Sequence, residues 1–174
     1  MDEIRNVSLD DVKDILNIYS YYIKNTAITF EINVPKEEDF KLRIKEISNN
    51  YPYIVLLKDG IIKGFAYSHI YYGRDAYKYS HEVSIYIDKD SKGLGYGKKI
   101  YLELESRLKK LGIINLYAAI ALPTIENDKY LDNASELFHL KMGYKRIGLF
   151  SKCGYKFNNW YDLIWMEKII GNHN

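Results

Sequence analysis

The apolar positions change their period along the chain, and these changes divide it into helices and strands. Residues 8–25, SLDDVKDILNIYSYYIKN, predict an amphipathic helix, because their apolar side chains recur at helical spacing. That apolar face consists of Val12, Ile15, Leu16, Tyr19, Tyr22 and Ile23. Ser8, with Asp11 three positions later, predicts a capping pair at the start of the helix. A short strand, EIRNVS, precedes this helix, and a second helix, KEEDFKLRIKEI, follows Pro35.

Strand periodicity begins after the second helix. In YIVLLKDGIIKGFAY, two apolar runs flank Asp59-Gly60, a dipeptide typical of tight hairpin turns. HEVSIYID predicts a third strand, whose residues 83, 85 and 87 are apolar and whose opposite face carries Glu82, Ser84 and Tyr86. These three strands form a predicted meander.

The second half of the chain returns to alternating helices and strands. Ile100, Leu104, Leu108 and Leu111 predict a helix that ends at Gly112. NLYAAIA predicts a buried strand, NASELFHLKMG a short helix, and YKRIGLFSK and WYDLIWMEKI two final strands. The predicted order is β-α-α-β-β-β-α-β-α-β-β, a mixed α/β fold, and residues 1–174 are expected to form a single domain.

Composition narrows the class of protein. With 174 residues, 47% hydrophobic and 28% charged, the chain is long enough for one globular core. A net charge of +2 gives no reason to expect a nucleic-acid partner. No apolar run approaches the ~18 residues of a membrane span, so a soluble, cytoplasmic protein is expected. One cysteine, Cys153, and four scattered histidines predict neither a disulfide nor a metal site.

The segment SKGLGYGKKI, residues 91–100, raises the question of what its three glycines hold. A Walker A loop fails, because Lys99 stands where a serine or threonine would bind magnesium. A dinucleotide fingerprint fails, because Lys98 stands at its third glycine. Bare backbone amides at a helix N-terminus, with Lys98 and Lys99 in the first turn, predict an anion cradle. A glycine-rich connector with solvated lysines is the alternative.

Several motifs carry a family resemblance. KGLGYG, which follows the third strand of the meander, resembles the Arg/Gln-x-x-Gly-x-Gly/Ala motif of the GCN5-related N-acetyltransferases (GNAT), with Lys92 replacing the usual arginine or glutamine. DNASELFHLKMGY resembles that family's Asn-containing helix that ends in Gly-aromatic. GRDAYKYSHEVSIYI, AIALP and GYKFNNWYDLIWME resemble the phosphinothricin and methionine sulfoximine N-acetyltransferase branch. The resemblance covers about residues 4–168, and includes the tail motif aromatic-Lys-x-x-Asn-Trp-x-Asp.

The resemblance implies the GNAT acyl-CoA N-acyltransferase fold and acetyl-CoA as acyl donor. Backbone groups of Ile85, Tyr86 and Ile87 would then hold pantetheine and acetyl. The pyrophosphate would lie on the glycine loop, which comprises Lys92, Gly93, Leu94, Gly95, Tyr96, Gly97 and Lys98. An asparagine would contact the cofactor, and Asn133 is the candidate. Asp132 competes with it, because the segment TIENDKYLDNA is longer than expected there.

The same resemblance assigns chemistry to two residues. Glu82 is the candidate base, although a carboxylate of ordinary pKa needs burial or a relaying water to deprotonate an ammonium. A strand glutamate paired with a lysine is the alternative. His139, four residues before Gly143, is the candidate that protonates the departing thiolate. A hydrogen-bonded core histidine is the alternative.

The same resemblance predicts the residues that bind the acceptor. Arg74 matches an arginine that grips an acidic substrate group, and a solvated loop arginine is the alternative. Phe30, Tyr72, Tyr155 and Trp160 are expected to wall an amino-acid pocket, although such aromatics also serve cores and interfaces. In the resembling enzymes the tail loop lies near a two-fold interface, which implies a homodimer.

The expected activity is transfer of the acetyl group of acetyl-CoA to the amine of a small amino acid or analogue. The analogues implied are of the phosphinothricin, methionine sulfoximine or methionine sulfone type, with direct attack in a ternary complex. Other acceptors are a polyamine, an aminoglycoside or a protein N-terminus. Arg74 opposes a polycation, since like charges repel. A CoA-binding regulatory module without chemistry is the alternative from a different class.

Overall fold

The computed structural model describes residues 2–173, and its elements follow the predicted order. The strands are β1 (Asp2–Asn6), β2 (Tyr53–Lys58), β3 (Ile61–Ile70), β4 (Ser80–Ile87), β5 (Asn115–Pro123), β6 (Lys145–Lys156) and β7 (Asn159–Ile169). The helices are α1 (Val12–Asn25), α2 (Glu37–Asn50), α3 (Tyr96–Lys110) and α4 (Ala134–Lys141). The prediction of a mixed α/β fold is confirmed.

The predicted capping pair joins β1 to α1. The Ser8 side chain accepts from the first turn, and the Ser8 amide donates to Asp11 Oδ2 at 2.7 Å. Arg5 on β1 binds both carboxylate oxygens of Asp11, and this bonding lowers the pKa of Asp11. The first turn, Leu9–Asp11, is a 3-10 helix, so α1 itself begins at Val12.

All seven strands form one sheet in the order β1-β2-β3-β4-β5-β7-β6. Neighbouring strands are antiparallel except β4 and β5, which are parallel and pair over only three positions, from Ser80 with Asn115 to Glu82 with Tyr117. Beyond Glu82 the two strands diverge, while β5 stays paired with β7 as far as Pro123. The sheet therefore carries a wedge-shaped opening between β4 and β5.

Each face of the sheet has its own core. Val83, Ile85 and Ile87 contact the core on the α3 side, whereas Tyr86 packs into the core under α1 and α2, as the alternation of β4 predicted. Leu111 was predicted to extend the buried stripe of α3, but it is 60% exposed because α3 ends at Lys110. Among residues 2–173, no helix is both long and apolar enough to cross a membrane.

Two hairpin turns use residues of positive φ. Asp59 and Gly60 have φ of 50° and 80°, as the predicted tight turn requires. The β6–β7 hairpin is longer than predicted, since β6 continues to Lys156. Its turn is formed by Phe157 and Asn158, with φ of 52° and 60°, so no glycine marks it in the sequence.

Candidate active site

The opening between β4 and β5 forms a cleft. Its lining comprises Ile28, Val83, Ser84, Ile85, Tyr86, Ala118, Ala119, Ile120, Ala121, Ser135 and His139. On β4, the residues after Glu82 have no partner on β5, so backbone groups at this edge are available to an extended ligand. The predicted cofactor residues Ile85, Tyr86 and Ile87 belong to this edge of the sheet.

The glycine loop connects the end of β4 to the N-terminus of α3. Gly93 and Gly95 have φ of 78° and 82°, and a Cβ at either position would meet no atom within 4 Å. Gly97 differs, because a Cβ there would lie 3.3 Å from the ring of Phe138 on α4. Gly93 and Gly95 therefore leave the backbone amides open to a ligand. Gly97 permits the close packing of α3 on α4.

The lysines of the loop have different surroundings. The Lys92 ammonium lies 4.9 Å from the ring centroid of Tyr22, and Lys98 is exposed. Lys99 Nζ donates to Asp2 Oδ2 on β1 at 2.8 Å. Lys99, which was expected to add its charge to the loop, thus directs its ammonium to a carboxylate on β1. The hydroxyl of Tyr22 also donates to the carbonyl oxygen of Ile87, which fixes the end of β4 against α1.

The two candidates for the cofactor-contacting amide differ in their bonding. Asp132 Oδ1 accepts from the Ala134 amide at 2.9 Å and so satisfies the first turn of α4. Asn133 is the N-cap residue, and its side chain makes no capping bond. The side chain of Asn133 is thus available to a ligand, while that of Asp132 is committed to the backbone.

His139 is buried in α4 with both ring nitrogens engaged. Nδ1 lies 2.8 Å from the carbonyl oxygen of Ser135, and Nε2 lies 2.9 Å from the hydroxyl of Tyr101 on α3. Because a carbonyl only accepts, Nδ1 carries the proton and Nε2 accepts from Tyr101. Burial lowers the pKa of His139, which favours this neutral form. His139 thus lines the cleft as a hydrogen-bonded, neutral imidazole.

Glu82 is the last residue of β4 that is paired with β5. Its side chain is 26% exposed, and burial raises the pKa of its carboxyl group. Within residues 2–173 its ion-pair partner is not a lysine but His69 on β3, with Nε2 3.9 Å from Oε2. Glu82 therefore lies at the point of β4 where pairing with β5 ends, next to the cleft residue Val83, and its carboxyl group is partly desolvated.

The predicted acceptor-binding residues do not form a single cluster within one chain. Phe30 lies in the segment between α1 and α2, which we call the acceptor loop (residues 26–36), and its ring packs so tightly on Gly154 that a Cβ there would be 2.4 Å away. Tyr155 and Trp160 pair across the hairpin, 4.9 Å apart between ring centroids, and both are exposed. Gly154, and not Tyr155, thus touches Phe30 within one chain.

The segment between β3 and β4 carries the other two predicted residues. Tyr72 is strongly exposed and has a positive φ of 60°. Arg74 is exposed, and its side chain makes no ion pair in the described part of the chain. Both side chains are therefore accessible to a ligand.

Three residues that sequence reasoning left without a role contribute to the site. Tyr101 bonds to His139, Lys156 bonds to the acceptor loop at the Thr29 carbonyl, and His69 faces Glu82. Alternation along β3 places His69 on the same face as Tyr67. The long segment between β3 and β4 leaves the register open, so the sequence did not show which residue of β4 His69 faces. No group of three or more potential metal-binding side chains occurs within residues 2–173.

Comparisons with known proteins agree with this geometry. The family described as “Acetyltransferase (GNAT) domain” matches residues 4–165. The chain is 29% identical over 166 residues to a phosphinothricin N-acetyltransferase of Alcaligenes faecalis, covering 95% of this chain and 81% of that protein. It is 24% identical over 172 residues to an L-methionine sulfoximine/L-methionine sulfone acetyltransferase of Salmonella typhimurium, covering 98% and 95%.

A solved structure extends the likeness to three dimensions. A GNAT superfamily phosphinothricin acetyltransferase of Sinorhizobium meliloti, in complex with AcCoA, superposes with a TM-score of 0.89 at 30% identity, covering 98% of this chain and 89% of that one. Because the family match takes in four helices and the strands that form the cleft, the chain belongs to the GNAT family, as an N-acetyltransferase that uses acetyl-CoA.

Proposed function

We propose that the acceptor is the amine of a small amino acid or analogue, of the phosphinothricin, methionine sulfoximine or methionine sulfone type. The amine attacks directly, within a ternary complex. Relatives with these named activities match 95% and 98% of the chain. The observation that carries the proposal is the position of Glu82, a half-buried carboxyl group at the point where β4 leaves β5 and the cleft opens.

The glycine loop fits the diphosphate of the acyl donor. The space beside Gly93 and Gly95 contains no protein atom within 4 Å of a built Cβ, and the loop leads into the N-terminus of α3, whose positive dipole end favours an anion. When bound, acetyl-CoA supplies the thioester whose carbonyl carbon the amine attacks. The edge of β4 that is unpaired with β5, from Ile85 to Ile87, and the side chain of Asn133 would then hold the donor along the cleft, except for the Ile87 carbonyl, which is bonded to Tyr22.

Glu82 removes a proton from the acceptor ammonium. Burial, which raises the pKa of its carboxyl group, makes Glu82 a stronger base than a solvated glutamate. Activity is therefore expected to fall as the pH decreases and the carboxylate becomes protonated. His139 is the proposed source of the proton for the leaving thiolate. It must release its bond to Ser135 or gain a second proton before it can donate, and burial opposes the second route.

Arg74 is the proposed contact for the acidic group of the acceptor. Its guanidinium is exposed in the segment that precedes β4 and can form bidentate hydrogen bonds with a carboxylate or phosphinate. A second cationic centre in the acceptor would be repelled there. Phe30 and Tyr72 are the proposed apolar contacts contributed by the same chain.

We propose a homodimer, with β6 at the interface. This edge strand exposes large apolar side chains along most of its length, which a protein rarely leaves uncovered. They are Ile147, Leu149, Phe150 and Tyr155, joined by Trp160 on β7. In such a dimer Tyr155 and Trp160 would reach the partner's acceptor site. We also propose that residues 1–174 act as one domain in the cytoplasm, where the reducing environment agrees with the single cysteine.

The test is a thioester-consumption screen across amino acids with phosphinate, sulfoximine, sulfone and carboxylate tails. With the best acceptor, Glu82→Gln is expected to lower kcat by about 100-fold or more, the range of general base catalysis. Calorimetric acetyl-CoA affinity should not change, because Glu82 lies at the start of the cleft and away from the glycine loop.

The matched control is Glu103→Gln, since Glu103 pairs with Arg107 on the outer face of α3. It should retain the parent rate. An unchanged rate in Glu82→Gln would remove Glu82 from the mechanism. Acetyl-CoA binding without turnover of any amine would favour the regulatory alternative.

A further inference from the structure

His69 and Glu82 face each other across the β3–β4 ladder. They are register partners in this antiparallel pair, so their side chains project from the same face of the sheet. His69 Nε2 lies 3.9 Å from Glu82 Oε2. This separation exceeds a hydrogen bond by about 1 Å, which a small rotation of the glutamate side chain can close. The proposed base thus has an imidazole as its immediate neighbour.

The other ring nitrogen of His69 determines which tautomer the neutral imidazole adopts. Nδ1 lies 3.2 Å from the carbonyl oxygen of Ile70, which can only accept, so Nδ1 carries the hydrogen. In the neutral ring Nε2 therefore has a lone pair, and this is the nitrogen that faces Glu82. The His69 side chain is 39% exposed and that of Glu82 is 26% exposed. The imidazole is thus more accessible to solvent than the carboxyl group it faces.

The groups around the pair are uncharged near neutral pH. Tyr67 on β3, Tyr71 in the following segment and Tyr117 on β5 lie beside the pair, whereas His81 projects from the opposite face of β4. Burial raises the pKa of all three tyrosines, that of Tyr67 to about 12. Burial also lowers the pKa of His81 to about 4, with a further contribution from His69.

Three charged residues lie further out. Glu31 and Arg43 line the neighbouring cavity with Tyr67 and are ion-paired with each other. Arg74 is exposed in the segment that follows β3. Within residues 2–173, His69 is therefore the titratable base in direct reach of Glu82.

We propose that His69 accepts from Glu82 the proton that the acceptor amine releases, and passes it to solvent. The proposal rests on Glu82 as the base. The ammonium of the acceptor gives one proton to a Glu82 oxygen and keeps the electron pair that forms the new C–N bond. The Glu82 carboxyl group gives that proton to the lone pair of His69 Nε2. The resulting imidazolium loses it to water, so both residues return to their starting states and one proton reaches solvent.

His69 is thus a positioning residue that acts through Glu82. A positive charge on His69 favours the carboxylate form of Glu82 and lowers the pKa of that carboxyl group, against the larger effect of burial. Removing the imidazole should therefore move the acid limb of the rate profile to higher pH.

The first measurement needs no turnover. In ¹³C-labelled protein without ligands, the Glu82 carboxyl signal is titrated in the parent and in His69→Gln. The apparent pKa of Glu82 is expected to rise in the variant, because the charge that favours the carboxylate is gone. His173→Gln is the control, since His173 bonds to Asn115 at the start of β5, and neither residue pairs with His69 or Glu82. It should leave the Glu82 titration unchanged.

The second measurement is the pH dependence of kcat/KM. His69→Gln is expected to lower kcat by about tenfold or more, to shift the acid limb upward, and to regain rate when imidazole is added. His69→Asn serves as a second variant if the glutamine variant folds poorly. Titration and rate profiles that coincide with the parent in both variants would overturn the relay. If Glu82→Gln is inactive while His69→Gln is normal, only the relay fails; if Glu82→Gln is active, the base assignment itself fails.

Discussion

Lys156 Nζ donates a 2.8 Å hydrogen bond to the carbonyl oxygen of Thr29 and so joins the β6–β7 hairpin to the acceptor loop. The lysine is 5% exposed, and the adjacent Gly154 packs against Phe30 in the same loop. Glu31 lies close enough to favour the charged ammonium, but burial has the larger effect. The hairpin therefore supports the loop that carries a proposed acceptor contact, through a cation that is costly to bury.

The buried ammonium predicts an unusual pH dependence of stability. Burial lowers the pKa of Lys156 to about 8, whereas an unfolded lysine titrates near 10.4. Between these values the unfolded chain binds more protons than the folded one, so the free energy of unfolding rises with pH. Relative to Lys156→Met, the parent should gain about 2 kcal/mol from pH 7 to pH 9.5 in urea titrations.

The control for this prediction is Lys41→Met, which removes an exposed lysine of α2 and should keep the slope of the parent. A parent and a Lys156→Met variant whose stabilities change in parallel with pH would show that the ammonium is solvated in the folded protein.

Gly95 offers a test of the cradle that separates backbone strain from ligand contact. Gly95→Leu places a side chain at φ 82° in the space beside the loop amides. Gly60→Leu is a matched control, because Gly60 has φ of 80°, also lacks neighbours within 4 Å, and lies in the β2–β3 turn. Both should lose about 1–2 kcal/mol of stability from the left-handed conformation.

Only Gly95→Leu is expected to weaken acetyl-CoA binding, by at least about tenfold in calorimetry, because its side chain occupies the path of the diphosphate. Equal affinities in the two variants would place the diphosphate elsewhere on the protein.

The sequence predicted the features that depend on local pattern. The order of elements, the two faces of β4 and the Asp59-Gly60 turn follow from periodicity and backbone preference, and the structure has them. The features that the sequence did not predict depend on contacts between distant segments of the chain. Lys156 donates a hydrogen bond to Thr29, 127 positions away, and Lys99 donates one to Asp2, 97 positions away. Packing of the whole chain brings these segments together.

The register of β3 against β4 shows the same limit within the site. Residues 71–79 separate the two strands as two 3-10 turns with a positive φ at Tyr72. No short-turn rule fixes the pairing across such a connection, so neither strand pattern revealed that His69 faces Glu82. The family resemblance suggested Glu82 as the candidate base, but its neighbour on β3 lies outside the motif and became visible only in the coordinates.

The exposed apolar side chains of β6 predict a second copy of the chain as their cover. Light scattering on the purified protein is expected to give twice the chain mass. The double variant Leu149→Lys/Phe150→Lys should be monomeric, because charges on an edge strand oppose pairing and desolvation. Leu102→Lys/Leu111→Lys is the matched control, since both leucines are exposed on or beside α3. This control should remain dimeric.

Kinetics then decide whether the partner's hairpin completes the acceptor site. In the monomeric double variant, KM for the acceptor should rise while acetyl-CoA affinity stays unchanged, because Tyr155 and Trp160 no longer reach the neighbouring chain and the glycine loop is untouched. A monomeric parent protein, or a double variant that remains dimeric, would contradict the proposed interface. A monomer with the parent's KM would instead separate assembly from acceptor binding, and would leave Phe30, Tyr72 and Arg74 as the proposed contacts.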